Sequence, residues 1–490
     1  MTISNTIRVP FMYVSIDSSR AAQGPALLAY KALLVGQLLS TGTKYQAGSD
    51  AVGPYKITSS DQAGTFFGIG SMIHRMAIAW FAGNRVTELW VIAMKDNGTT
   101  KSTGSIAITG PATAAGTLFA YVNGKQIQVA VSSGDSATVI GDALVAAIPI
   151  NLPVTAVNTT GTVTFTAKNA GTVGNDIDLR LNYNPGEELP AGVAGVVTGM
   201  SSGATDPDIA NAISLLGDAW YNIIIGPYTD ANNLTALEAE LADRFGPMRQ
   251  IDGVYVTAKK DTLANLSSFG SGRNSPHVSC LNAGGVTGVG TPTWTAEMAA
   301  AYGAQLAIEG QADPARPFQT LELTGVIAPE INERFSSAEN NNLLYDGIST
   351  VYVDSAGRMR IQRAISMYQT NSQGAEDTAY LDINSMLTLM YLRYSFRNMI
   401  LTKYPRAKLA DDDVKLAPTQ QYITPKIGKA EAIAIFRQWM DLGLVEDITQ
   451  FKNDVVCVRN SQDPNRLDWL LPPDLMNQFR IGTAVIQFLL

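Results

Sequence analysis

GSMIHRMAIAWFAGNRVTELWVIAM (Gly70–Met94) reads as a helix followed at once by a buried strand. Ile73, Met76, Ala77 and Trp80 fall on one helical face at i, i+3, i+4 and i+7, and Gly83 supplies the stop. ELWVIAM (Glu88–Met94) is then apolar nearly throughout. Upstream, KALLVGQLL (Lys31–Leu39) reads as a short buried strand ending at Gly36. The alternation resumes later. DPDIANAISLLGD (Asp206–Asp218) is a predicted helix, YNIIIGPYTD (Tyr221–Asp230) a strand, ANNLTALEAELADRFG (Ala231–Gly246) a helix and GVYVTAK (Gly253–Lys259) a strand. A short helix near Thr262–Ser268, a strand at His277–Leu281 and a helix at Thr295–Glu309 complete the pattern. Strands alternating with helices imply βαβ units around a largely parallel sheet.

Between the two halves lies a different composition. From Asn97 to about Thr205 the chain is dominated by Thr, Gly, Ala, Val and Ser, with alternating segments such as TLFAYVNGKQIQVAV, LPVTAVNTTGTVTFTAKN and IDLRLNY. Asn123-Gly124 is the preferred dipeptide of a tight hairpin turn. Only Asp135–Ile148 reads as helical, so the stretch is expected to be a mainly antiparallel β domain inserted into an α/β crossover. Inserting it at a surface loop costs little closure entropy, about 0.6 kcal/mol per doubling of loop length. The final third reads as α+β. It holds a hairpin at Ser349–Ser366, a long helix at Leu381–Lys403 with Leu389, Leu392, Phe396 and Met399 on one face, and a helix at Glu431–Gly443. Strands are expected near Ile448–Phe451, Val455–Arg459 and Arg480–Leu490.

The two ends of the chain stand out. TIRVPFMYVSID (Thr6–Asp17) and RIGTAVIQFLL (Arg480–Leu490) are apolar, β-type and nearly uncharged. An unpaired strand edge templates association with another chain, so such ends fit a subunit stitched to its neighbours. They fit equally two strands that return to the chain's own sheet.

At 490 residues the chain is too long for one core, and its 16% charged residues are few against about 25% in ordinary proteins. Net charge is −8 and no long basic run occurs, which argues against nucleic acid as a direct partner. No apolar stretch of about 20 residues is present to span a bilayer. The N-terminal MTISNTIRVP does not read as a secretory signal, so synthesis and folding in a cytoplasm are expected. Cys280 and Cys457 sit in apolar strand-like runs and read as reduced, buried thiols.

Catalytic and cofactor signals are scarce. His74 and His277 are the only histidines, and each reads as structural. No nucleophile is expected on the strained strand-to-helix turn that a Ser–His–Asp arrangement needs. GIGSM (Gly68–Met72) lacks the spacings of a phosphate loop and reads as a helix start with Ser71 near the cap. Asp411–Asp413 and the Asp-Pro steps at Asp206, Asp313 and Asp463 lack calcium-loop order and read as solvated turns. No catalytic residue, cofactor or metal site is therefore expected.

Taken in order, RVPFMYVSID, ALLVGQ, FGIGSMIHRMAIAWFAGNRVTELWVIA, LPVTAV, FTAKNAGTVGNDIDLRLNY and IIIGPYTD carry a resemblance. DPARPFQTLELTGVIAP, LLYDGISTVYVDSAGRMRIQRAIS, YLDINSMLTLMYLR and KYPRAKLADD continue it. The chain resembles the contractile-tail sheath proteins of Mu-like bacteriophages over nearly its whole length. The resemblance is weakest at Gly270–Pro292 and after Gln462. It implies a subtilisin-like α/β core without a protease triad (21–96 and 206–330) and an inserted β-rich outer domain (97–205). It also implies a tube-facing α+β domain (331–478) and extended arms at 1–20 and 479–490. The arms, with Ile7, Val9, Phe11, Tyr13, Ile481, Val485, Ile486 and Phe488 as contact residues, are expected to add strands to neighbouring subunits' sheets.

The implied partners are further copies of the chain in stacked hexameric rings, the tail tube protein, and baseplate and tail terminator proteins. Neither nucleic acid nor membrane is among them. Function would be that of a structural subunit of a contractile phage tail, located in the virion and active in genome ejection. The competing expectations are a baseplate or surface adhesin component and a hydrolase.

Overall fold

The computed structural model describes residues 28–414 and 420–489. The strands at Lys31–Gln37 and Glu88–Met94 form because their residues are apolar on both faces. β1 (Lys31–Gln37) is buried from Ala32 onward, one residue past the expected end at Gly36. β2 (Ala51–Ile57) and α1 (Ser60–Phe67) follow, neither anticipated from the sequence. α2 (Met72–Gly83) starts where Ser71 accepts a hydrogen bond from the His74 N–H, and it buries Ile73, Met76, Ala77 and Trp80 as its spacing requires. β3 (Glu88–Met94) then pairs with β1 in parallel along its whole length.

The insert folds as two antiparallel sheets around one helix. Its elements are β4 (Thr103–Thr109), β5 (Gly116–Val122), β6 (Lys125–Val131), α3 (Ala137–Ala147), β7 (Val154–Thr159), β8 (Thr162–Ala167), β9 (Leu179–Leu181) and β10 (Ala194–Ser201). The sheet orders are β10-β4-β8-β7 and β6-β5-β9. At the β5–β6 turn Asn123 and Gly124 adopt φ of 52° and 70°, the left-handed pair that a two-residue hairpin of this kind needs.

The core resumes with α4 (Ala210–Leu216), β11 (Ile223–Ile225), α5 (Ala231–Phe245), β12 (Val254–Lys259), α6 (Leu263–Ser271), β13 (Val278–Asn282) and α7 (Thr295–Ala312). β11 is shorter than the expected Tyr221–Asp230, since Gly226 and Pro227 interrupt the run. The six strands of the core lie in the order β13-β12-β11-β1-β3-β2, parallel except for β2 at the edge. Pro54 in β2 fits that edge position, where a missing N–H disturbs no ladder. α7 buries most of its surface and crosses the sheet closely. A Cβ on Gly303 would lie 2.8 Å from Ile225 Cδ1, so only glycine lets helix and strand approach this far.

β14 (Glu322–Ile327), α8 (Ser337–Tyr345), β15 (Thr350–Val353) and β16 (Arg358–Arg363) come next, the strands ordered β14-β16-β15. A bridge from Leu281 to Ser349 joins this small sheet to the β13 edge. α9 (Ile383–Lys403) follows. The chain divides into two compact units, and the division falls at Met390/Tyr391. The larger unit runs from Ala29 to Met390 and includes the segment from Asn477 onward. Residue 331, expected to begin the C-terminal domain, lies inside it because the Ser349–Ser366 hairpin pairs with β14 and β13.

The smaller unit, Tyr391–Met476, contains β17 (Lys408–Leu409), β18 (Tyr422–Ile423), α10 (Pro425–Asp441), β19 (Val445–Glu446), α11 (Ile448–Asp454), β20 (Val456–Arg459), β21 (Leu467–Leu470) and β22 (Asp474–Leu475). Phe436 stacks on Phe451 with ring centroids 4.0 Å apart, and Trp439 Nε1 donates to Ser395 Oγ at 2.9 Å. Two expectations are corrected here. Ile448–Phe451 is the first turn of α11 rather than a strand, because Asp447 accepts from the Thr449 and Gln450 N–H groups and starts a helix. On α9 Leu392 of the expected face is buried, but Leu389, Phe396 and Met399 are half-buried, and Ile383, Met386, Leu387 and Met390 are buried instead.

Candidate assembly surface

An α/β sheet ordinarily binds ligands in the crevice at the carboxyl ends of its strands, where the chain's direction of travel across the sheet reverses. Here that point lies between β1 and β11. The insert's own Asn169-Ala170 turn lies on the β1 side of it, against the end of β1 and the start of α2. Asn169 Nδ2 donates to Leu38 O at 3.1 Å, and its Oδ1 accepts from the Met72 N–H at 3.0 Å. Gln37 Nε2 donates to Ala170 O at 2.6 Å.

The two histidines are both buried and enter no nucleophile–base pair among the described residues. His74 Nδ1 accepts from the Gly70 N–H at 2.9 Å. The ring of His277 lies 5.2 Å from that of Phe245. Burial lowers both imidazole pKa values to about 4, with the Arg75 charge adding to the effect at His74. Each folded-state value lies below the ordinary 6.5, so protonation favours the unfolded chain. Their contribution is complete above pH 6.5 and is lost as the pH falls from 6.5 toward 4. Between pH 7.5 and 5 each histidine is expected to remove about 2 kcal/mol of stability. Urea unfolding of the parent and a His277→Gln variant at the two pH values checks this, and equal pH sensitivity of the two proteins would refute it.

Ser71 caps α2 as expected, and the carboxylates expected in turns behave as turn residues or structural acceptors. Asp313 Oδ1 accepts from the Ala315 N–H, and Asp463 Oδ1 from the Asn465 N–H. Asp206 accepts from Thr172, and Asp411 pairs with Arg459 at 2.9 Å. Among the described residues no cluster of three metal-ligating side chains occurs, and no helix is long and apolar enough to cross a membrane.

What the described surface does offer is the C-terminal segment. Its root is fastened to the larger unit. Gln478 Nε2 donates to Ala315 O at 3.1 Å, and Gln319 Nε2 donates to Phe479 O at 3.3 Å. Arg480 is ion-paired with Asp382 at 2.9 Å, which Arg363 also holds at 3.1 Å. Beyond Arg480 every described residue is exposed. Ile481, Val485, Ile486 and Phe488 expose 81%, 88%, 89% and 77% of their surface, which singles them out from the scattered exposed apolar residues of an ordinary surface. The strand expected at Arg480–Leu490 is not formed: residues 480–489 belong to no strand, since no neighbouring strand lies beside them to complete a ladder. The N-terminal candidates Ile7, Val9, Phe11 and Tyr13 lie outside the described residues.

A second open edge lies in the smaller unit. β20 and β21 form an isolated two-stranded sheet, with Val456 and Val458 turned outward at 42% and 50% exposure. Sequence reasoning placed a strand there without identifying its edge as open. The alternation of Val456, Cys457 and Val458 between exposed and buried shows which face of the strand is covered, whereas the open edge follows from the sheet having two strands and had no signal in the sequence.

Comparison with known proteins gives consistent matches. Residues 202–367 match the phage tail sheath protein central domain, and residues 375–488 match the phage tail sheath C-terminal domain. The Mu-like prophage FluMu tail sheath protein of Haemophilus influenzae is 39% identical over 491 aligned positions, covering 100% of this chain and 99% of that protein. The sheath tail protein of Desulfitobacterium hafniense superposes with a TM-score of 0.49 at 12% identity, over 95% of this chain and 100% of that one. For the sheath tail protein of Listeria innocua the TM-score is 0.48 at 12% identity, over 93% and 94% of the two chains.

Proposed function

The chain belongs to the phage tail sheath protein family, and from that membership we propose how it works as a structural subunit of a contractile tail. Copies polymerise around the tail tube as stacked hexameric rings, in an extended state that is metastable. On triggering at the baseplate, contacts between globular bodies are exchanged for larger ones, and the sheath shortens and drives the tube through the host envelope. No nucleotide and no catalytic residue take part, because the free energy is stored at assembly. Many identical subunits act together, so a few kcal/mol of bias per subunit suffices.

The observation that carries this reading is the exposed apolar segment beyond Arg480. Residues 481–490 act as an arm that adds a strand to a neighbouring subunit's sheet, with backbone bonds for affinity and alternate side chains for register. The open β20–β21 sheet is an acceptor of the right kind. Thr6–Asp17 plays the same part at the other end. A head-to-tail contact of this sort repeats without closing on itself, which is the symmetry a helical sheath requires. The six-stranded layer is read as a subtilisin-like arrangement without its triad. α9 and α10 belong to the domain that faces the tube, and the insert to the outer surface. The terminator and baseplate proteins meet the ends of the polymer. The subunit is made in the host cytoplasm and ends in the virion tail.

Negative-stain electron microscopy of the concentrated chain tests the reading. Hollow, ribbed tubes are expected. Monodisperse particles at every concentration and ionic strength would overturn it.

A further inference from the structure

The insert meets the core at three carboxylates, Glu297 buried and Asp96 and Asp176 half-buried, and we propose that the two form one rigid body, with Asp96 as the residue that positions the insert. An insertion joined by two crossing chain segments is by default free to move on its host. Here three separate attachments oppose that freedom. At the end of β3, Asp96 accepts from Gln37 Nε2 at 2.7 Å, Asn169 Nδ2 at 2.9 Å and the Ala170 N–H at 2.9 Å, so one core carboxylate gathers a core side chain and two groups of the insert. Under the β5–β6 turn, Glu297 of α7 accepts from Arg75 at 2.7 and 3.0 Å and from Asn123 Nδ2 at 2.5 Å, while Asn123 Oδ1 accepts from the Trp294 N–H at 2.9 Å. Between these, Trp294 Nε1 donates to Val173 O at 2.7 Å, and Asp176 accepts from Thr295 Oγ1 at 2.8 Å.

Burying a carboxylate is tolerable only while its donors stay in place. A hinge at the junction would take donors from all three acids at once: Asn169 and Ala170 from Asp96, Asn123 from Glu297 and Thr295 from Asp176. Tilting about any one attachment breaks the other two. The sheath reading is needed only for the consequence: rearrangement between assembled states must occur outside this body, in the segments that join it to its neighbours.

Hydrogen exchange of the purified, unassembled chain tests the proposal independently of whether it polymerises. Backbone N–H groups at 168–176 are expected to exchange as slowly as those of β1 and β3. In Asp96→Asn an amide nitrogen replaces an acceptor that faces donors, and exchange at 168–176 is expected to quicken about tenfold or more while β1 and β3 stay protected. Asn169→Ala removes the partner from the insert side and should give the same local pattern if Asp96→Asn does not fold. A junction in the parent that exchanges like an exposed loop overturns the proposal. So does a variant whose exchange rises uniformly over core and insert, or not at all.

Discussion

A chain ending at Arg480 is expected to fold as the full chain does and to form no tubes. Residues 481–489 make no ladder within their own subunit and are exposed throughout, so their loss removes nothing from the folded body. Cutting after Arg480 keeps the ion pair with Asp382 that fixes the root. In a polymer the same residues would bury several apolar side chains and a run of backbone bonds at every contact. At about 1.5–3 kcal/mol per large apolar side chain buried, the loss exceeds what weak lattice contacts can replace. Sedimentation of the two chains at matched concentration, with thermal unfolding as the control for folding, decides the matter. Polymer formed equally by both would show that the segment is not a connector.

The second large effect is at Glu297, where replacement by alanine is expected to cost about 3–5 kcal/mol. Arg75 and Glu297 side chains are 11% and 9% exposed, so removing the carboxylate leaves a guanidinium without its counter-charge in a poorly hydrated place and frees Asn123 Nδ2 as well. Pairing Glu297→Leu with Arg75→Met should restore a large part of the loss, since the penalty comes from the unpaired charge and not from the absence of a salt bridge as such. Urea midpoints for the singles and the double measure this. A single-variant cost below about 1 kcal/mol would place the pair among exposed ones of little consequence.

The α/β alternation was legible because strands covered on both faces must be apolar nearly throughout, as β1 and β3 are. The Asn123-Gly124 turn was legible because left-handed backbone restricts which residues stand there. β2 escaped because Pro54 and a half-buried edge disguise it. α11 was misread because a four-residue apolar run does not distinguish a strand from one helical turn, although Asp447 was in place to cap it. The attachments of the insert were beyond reach for another reason. Asp96 and Asn169 are 73 positions apart and Asn123 and Glu297 are 174 apart, and no local pattern links polar residues over such separations. The arm residues were legible as apolar and β-type, but their lack of a partner within the subunit is a property of the fold alone.

The two cysteines have a practical consequence. Both thiols are buried, and burial pushes Cys280 up to about 12 and Cys457 up to about 11, so at neutral pH almost no thiolate is present to react. The unaltered chain is thus a silent background for thiol chemistry. One cysteine placed on the exposed segment beyond Arg480 would carry a fluorophore or spin label alone, without removal of the native residues. Distances between such labels on successive subunits would then follow a working particle through its change of length.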